Sequence, residues 1–104
     1  MKLEYKSTFF DDLDEINEYI ETNFGSAVAT RVINGIHEDC LMLSRHPYLG
    51  KEYPRNTYFH YLIAQKKNLV FYHINHAESK VELHRIFDGR RDYAQAVSSI
   101  PTQP

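Results

Sequence analysis

The sequence predicts an α+β domain of order β-α-α-β-β-β-(α), with an antiparallel helix hairpin packed on a small, mainly antiparallel twisted sheet. Three observations predict it. Apolar residues recur at helical spacing between residues 9 and 43, the period changes to that of strands between residues 58 and 87, and the links between the later strands are very short. Short links join antiparallel neighbours, and two amphipathic helices ahead of such a meander settle on one of its faces. A chain of 104 residues fits one domain, expected over 1–97, with 98–104 as a flexible C-terminal tail.

Each element has its own signal. Lys2 to Ser7 alternates Leu3 and Tyr5 with charged residues, as a short half-buried strand does. Thr8 with Asp11 has the spacing of a capping box, and Asp11, Asp12 and Asp14 suit the positive end of a helix. Phe9, Leu13, Ile16 and Ile20 then form one helical face, with Asp12, Asp14, Glu15, Glu18 and Glu21 mostly on the remaining circumference. Asn23-Phe24-Gly25 is a stop signal in which Gly25 can take a positive φ. Ser26 is placed to cap a second helix, whose Ala29, Val32, Ile33, Ile36, Cys40 and Leu43 share a face. Gly35 inside it costs about 1 kcal/mol relative to alanine and reads as close packing against the first helix. Pro47 ends the helix and Gly50 permits a turn.

Tyr58 to Gln65, Asn68 to Asn75 and Lys80 to Phe87 read as three strands joined through Lys66-Lys67 and His76-Ala77-Glu78-Ser79. Asp88-Gly89 breaks the last strand, and Arg91 to Val97 is expected to form one short helix. The tail beyond it holds two prolines and no apolar pattern.

Composition narrows the function classes. Hydrophobic residues are 42% and charged residues 25% of the chain, which is globular composition. No apolar run approaches the roughly 20 residues of a membrane helix, and no secretory signal pattern opens the chain. Cys40 is the single cysteine, which excludes an intramolecular disulfide and a cysteine-rich zinc site; a reduced cytoplasmic protein is expected. The net charge of −2 conceals an asymmetry. Within residues 1–23 Lys2 and Lys6 face seven carboxylates, whereas within 51–93 eight basic residues face five acidic ones. The result is a dipolar surface. A net +3 in the second half is too small to argue nucleic-acid binding by itself.

The order and spacing of several segments resemble the RelE/ParE superfamily of small bacterial toxins, from type II toxin–antitoxin or plasmid stabilisation systems. Those segments are Asp12-Leu13-Asp14-Glu15-Ile16 with Tyr19-Ile20, then Leu43 with Pro47 and Gly50, then Leu62-Ile63 with Asn68-Leu69-Val70-Phe71-Tyr72. Last come Val81-Glu82-Leu83-His84-Arg85-Ile86-Phe87 and Arg91-Asp92-Tyr93. The stretch around Arg85 to Asp92 is closer to ParE-like members, although Asp88 stands where many of them carry histidine. The resemblance implies a toxin held inactive by a cognate antitoxin, in a hetero-oligomer with it. ParE-like members poison DNA gyrase by binding. RelE-like members are instead metal-independent endonucleases that cut mRNA on the ribosome. A degenerate, non-toxic member that only pairs with antitoxin is the third reading.

The candidate site residues follow from that division. Arg85, Arg90 and Arg91, with Tyr58, Tyr61 and Arg55, are the expected target- or antitoxin-binding set. If the chain cut RNA, Arg85 and Arg91 would meet phosphate and Tyr93 or a histidine (His60, His84) would move the proton, with Lys51, Lys66 and Lys67 along the path. Against this, Arg85 has a structural reading as the ion-pair partner of Asp88 or Asp92, and Tyr93 as a packing residue. His84 and Arg85, as neighbours on a strand, are expected on opposite faces. Tyr48, Tyr53, Tyr58 and Tyr61 suggest an interface patch. No cofactor or metal is expected: His60, His73, His76 and His84 lack a recognisable ligand spacing, and Cys40 reads as a small core residue.

Overall fold

A computed structural model describes residues 1–102. Its elements are β1 (Lys2–Tyr5), α1 (Ser7–Phe24), α2 (Ser26–Leu41), β2 (Lys51–Glu52), β3 (His60–Ala64), β4 (Asn68–Asn75), β5 (Lys80–Asp88) and α3 (Ala94–Ser98), with one 3₁₀ turn at Met42–Ser44. The five strands form an open sheet in the order β1-β5-β4-β3-β2. β1 runs parallel to β5, with Lys2 opposite Lys80 and Tyr5 opposite Leu83; the other pairings are antiparallel. The α+β arrangement expected from the sequence is therefore present, with the two-residue β2 as an addition that its length hid from pattern reading.

Strand alternation sorts the core into two layers. Val70, Tyr72 and Ile74 of β4 join Val81 and Leu83 of β5 beneath Phe9, Ile36 and Cys40 of the helix hairpin. Phe71 and Phe87 point to the other face, where they meet Tyr53, Phe59, Val97 and Ile100. The segment 53–59 and α3 thus cover a second apolar cluster on the face without the hairpin. Ile100 is buried there, so the chain stays packed three residues into the stretch expected as a loose tail. Residues 103 and 104 lie outside the described residues.

Several local expectations are corrected. α1 begins at Ser7 without a side-chain cap. Thr8 does not close a capping box; its hydroxyl donates to the His84 carbonyl at 2.8 Å. Ser26 likewise makes no cap bond, and Gly25, at φ 93°, is the single residue between the helices. Gly35 does not face α1. A Cβ there would lie 2.4 Å from the Gln65 side chain, so the glycine makes room for the β3–β4 turn. Gln65 docks that turn by donating from its backbone N and from Nε2 to Asp39 Oδ2, each at 2.9 Å. The turn uses positive φ at Gln65 and Lys66, as a tight hairpin requires.

β5 carries the irregularity that matters most. Phe71 pairs with Arg85 but Tyr72 pairs with Leu83, so His84 is an extra residue in the ladder. The bulge resets the alternation and lets Leu83 and Ile86, three apart, both enter the core beneath the hairpin. It also overturns the expected separation of His84 from Arg85. The His84 ring meets Phe59 edge-on at 5.3 Å, and the Arg85 guanidinium lies over the Phe87 ring at 4.7 Å; both side chains contact the second cluster.

Candidate macromolecular interface

β1 covers β5 only as far as Leu83, and the first turns of α1 take over the uncovered edge. The Lys6 N–H donates to the Leu83 carbonyl at 2.9 Å, Thr8 caps the His84 carbonyl, and Asp12 Oδ2 accepts from the Ile86 N–H at 3.0 Å. Side chains of a helix here replace the missing strand, which closes an edge that would otherwise invite pairing.

Asp12 does more than cap the edge. It accepts from Arg85 Nε at 2.6 Å through Oδ2 and from Arg85 Nη2 at 2.9 Å through Oδ1. This is a bidentate pair, and Asp12 is 6% exposed. The hydrogen bonds it donates to Asp12, against the opposing cost of burial, raise the guanidinium above its ordinary pKa. Arg85 is consequently spent inside the fold, on neither Asp88 nor Asp92 and not on an open surface. The expectation that Asp12 lies on the solvent side of α1 is corrected. The signal that could have found it is its position three after Phe9 and four before Ile16, within the apolar stripe.

The remaining candidates divide between two concavities and the opposite end of the sheet. Arg55, Tyr61, Arg91 and Tyr93 line a groove of about 560 Å³ together with Tyr53 and Leu69. In it the Arg91 guanidinium sits 5.4 Å from the Phe87 ring, and Tyr93 packs against Phe71 at 5.7 Å. Asp92 is the acidic member of its lining. Arg90 and Arg91, with Lys67, line a second, smaller concavity against α1. The link is the Gly89 N–H, which donates to the Lys67 carbonyl at 2.7 Å and draws the end of β5 onto the β3–β4 turn. Arg90 is exposed and pairs with Asp88 at 3.2 Å, a contact that lowers the Asp88 pKa.

Tyr58 is not with them. Its ring stacks on His73 at 3.6 Å and 4°, and its carbonyl accepts from His73 Nδ1 at 2.8 Å. Tyr48 is separate again, its hydroxyl 2.8 Å from His76 Nε2 and its ring edge-on to His60. Of the four tyrosines expected to form one patch, Tyr53, Tyr58 and Tyr61 all pack on the second cluster, Tyr53 ring to ring with Tyr61 and Tyr58 on Phe59, while Tyr48 stands apart. Lys66 is exposed in the β3–β4 turn, and Lys51 lines a different shallow site with Met42, Leu49 and Ile63. Among the described residues no three His, Cys, Asp or Glu side chains are grouped to hold a metal. Cys40 is fully buried, which pushes its thiol up to about 12. Burial is also the main cause lowering the His84 pKa. No helix of the described residues is long and apolar enough to cross a membrane.

A helix hairpin on a short mixed sheet, with Arg55, Arg91, Tyr61 and Tyr93 gathered in one groove, defines a small α+β domain. The comparison with family models makes this specific: residues 3–93 match the ParE toxin of the type II toxin–antitoxin system parDE, and the chain belongs to that family. Its fold is similar to a chain of the chromosomal ParDE toxin–antitoxin system from P. aeruginosa, with a TM-score of 0.74 and 16% identity over 85% of this chain and 95% of the other. It is also similar to a chain of the RelBE2 toxin–antitoxin complex from Mycobacterium tuberculosis, with a TM-score of 0.53 and 20% identity over 84% and 95%. No curated protein matches the sequence.

Proposed function

We propose that this toxin acts by binding rather than by cutting, with DNA gyrase as its target, and that a cognate antitoxin neutralises it in the cytoplasm by forming a hetero-oligomer. The observation that carries the reading is the Asp12–Arg85 pair. Cleavage through the ribose 2′-hydroxyl needs a cation free to meet phosphate charge as it develops. Arg85, one of the two cations that the endonuclease reading assigns to phosphate, is held by two bonds to a buried carboxylate, which leaves that reading Arg91 alone. What remains open, Arg55 and Arg91 beside Tyr61 and Tyr93, has the composition of a contact surface.

The endonuclease reading keeps one point in its favour, because the same groove joins arginines with aromatic faces on which bases stack. Inducing the protein alone in bacteria separates the two. Filamentation with an SOS response, and loss of supercoiling by purified gyrase on adding the protein, is the expected result. Rapid translation arrest with mRNA cut on the ribosome would overturn it in favour of the nuclease. Normal growth with intact gyrase activity would leave only the non-toxic reading.

A further inference from the structure

The outer edge of β3 is occupied at both ends and open in the middle. At one end the Phe59 carbonyl accepts from the Tyr53 N–H at 2.9 Å, and Tyr61 lies opposite Lys51 of β2. At the other end the Gln65 N–H is taken by Asp39. Backbone groups of an antiparallel strand face its two sides alternately, so residues 59, 61, 63 and 65 face this same edge. Ile63 lies beyond the last pairing of β2 and presents its N–H and C=O there with no strand opposite among the described residues. Lys51 and Asp39 bracket a gap one residue long, too short for a strand to be added along it. The gap opens into a shallow notch of about 420 Å³ beside the end of α2 and the turn before β2. Met42, Leu49 and Ile63 line the notch and are each about half exposed. Its charged members are one carboxylate, Asp39, and one exposed ammonium, Lys51.

We propose that the free protein forms a weak homodimer through this notch, with the two-fold axis close to Ile63. The argument is self-complementarity. Lys51 and Asp39 stand on opposite sides of Ile63 along the edge, so a two-fold rotation there sets each Lys51 against the partner's Asp39 and each apolar strip against its own copy. A partner of uniform charge meets a like charge at one end of the strip, whereas a second copy meets an opposite charge at both. The apolar strip is the driving force, because Met42, Leu49 and Ile63 leave water only if something covers them. The notch is small beside a standard interface of about 20–30 residues a side, which puts the expected Kd in the micromolar range. This inference depends on neither the gyrase nor the antitoxin reading.

The test is sedimentation equilibrium of the purified protein over a micromolar concentration series, with Leu49→Lys, Ile63→Lys and Lys51→Glu. Wild type is expected to approach the dimer mass as concentration rises. Leu49→Lys and Ile63→Lys are each expected to raise the Kd about 10-fold or more. Lys51→Glu is expected to raise it about 3-fold or more, with the effect shrinking at high salt. Thermal melts check folding, and Leu49→Lys, in a turn outside the helices and strands, carries the test if Ile63→Lys unfolds. Cross-linking locates the axis. The native thiol of Cys40 is fully buried, so under mild oxidation Ile63→Cys is expected to give a covalent dimer, and Phe24→Cys, exposed at the end of α1, is not. A monomer at every concentration would overturn the proposal. A dimer whose Kd is unchanged in all three variants, or that Phe24→Cys cross-links as fast as Ile63→Cys, would overturn the assignment to this notch. A monomer whose binding to the product of the adjacent reading frame is lost in Leu49→Lys and Ile63→Lys would overturn it in favour of the antitoxin.

Discussion

Replacing Asp12 with alanine removes three hydrogen bonds at once and leaves a buried N–H and a half-buried guanidinium without their acceptor. The Ile86 N–H loses its acceptor, at a cost of about 1–3 kcal/mol. The Arg85 guanidinium loses a bidentate carboxylate; breaking a buried pair costs about 3–5 kcal/mol. Arg85 is not fully enclosed, since its side chain is 22% exposed, and water reaching it offsets part of that loss. The two costs also overlap, because both arise from one carboxylate. A net loss of about 3 kcal/mol is expected, which lowers the melting temperature of a domain this size by about 12 °C or more. Urea and thermal denaturation read it directly. Asp12→Asn keeps an acceptor for one donor and should lose about half as much. Adding Arg85→Met to Asp12→Ala removes the stranded cation and should recover about 1 kcal/mol or more. An Asp12→Ala protein within about 0.5 kcal/mol of wild type, or a double variant no more stable than the single one, would refute the assignment of Arg85 to the interior.

Four smaller tests follow from other contacts. Tyr72 donates to the Pro47 carbonyl at 2.7 Å and accepts from the Gly50 N–H at 3.0 Å, so Tyr72→Phe should cost about 1–3 kcal/mol in urea unfolding. Cys40, with its thiol pushed up to about 12 by burial, should resist a thiol reagent in the native protein and react on unfolding. His84 has a folded-state pKa below 6.5, so the unfolded chain takes up its proton first on acidification. Its contribution to stability is full above pH 6.5 and is lost as the pH falls toward the folded value, with a slope of at most about 1.4 kcal/mol per pH unit; the difference between wild type and His84→Leu measured from pH 5 to 8 reads that slope. Arg55→Ala and Arg91→Ala should each change stability by less than about 0.5 kcal/mol while weakening target binding in a salt-dependent way.

How much of this was legible in the sequence depends on the range of the interaction. Elements set by local periodicity were legible: Phe9 to Ile20 and Ala29 to Cys40 as helices, and residues 68–75 and 80–87 as strands (β5 runs one residue further, to Asp88), with Gly25 at its positive φ. What depended on partners distant in sequence was not. Asp12 resembled the other acids of α1 because its reason for burial lies 73 residues away. Gly35 yields to Gln65 on a turn that nothing near it in sequence announces. The segment 53–59 lacks any period, so its role in covering the second cluster was invisible even though Tyr53 and Phe59 supply much of that cluster. Of the site, the residue types at the end of β5 were legible and their grouping was not: Arg91 and Tyr93 join Arg55 and Tyr61, Arg85 leaves them, and Tyr58 stacks elsewhere.

The departure of Arg85 connects stability to the proposed surface. β5 extends beyond the reach of β1, and on the edge away from β4 its His84 carbonyl and Ile86 N–H are held by Thr8 and Asp12 of α1 in place of a strand. The same contacts set where α1 stands relative to the turn that carries Lys67, Arg90 and Arg91. Asp12 lies at the base of the groove between them. Substitution of Asp12 or Arg85 should therefore weaken growth arrest as well as stability, even though Asp12 is buried and Arg85 is bound to it. Loss of activity in an Arg85 variant is then no evidence of catalysis unless the fold is measured too. A variant such as Arg85→Lys that keeps the wild-type melt yet abolishes growth arrest would contradict this coupling and return Arg85 to the functional surface.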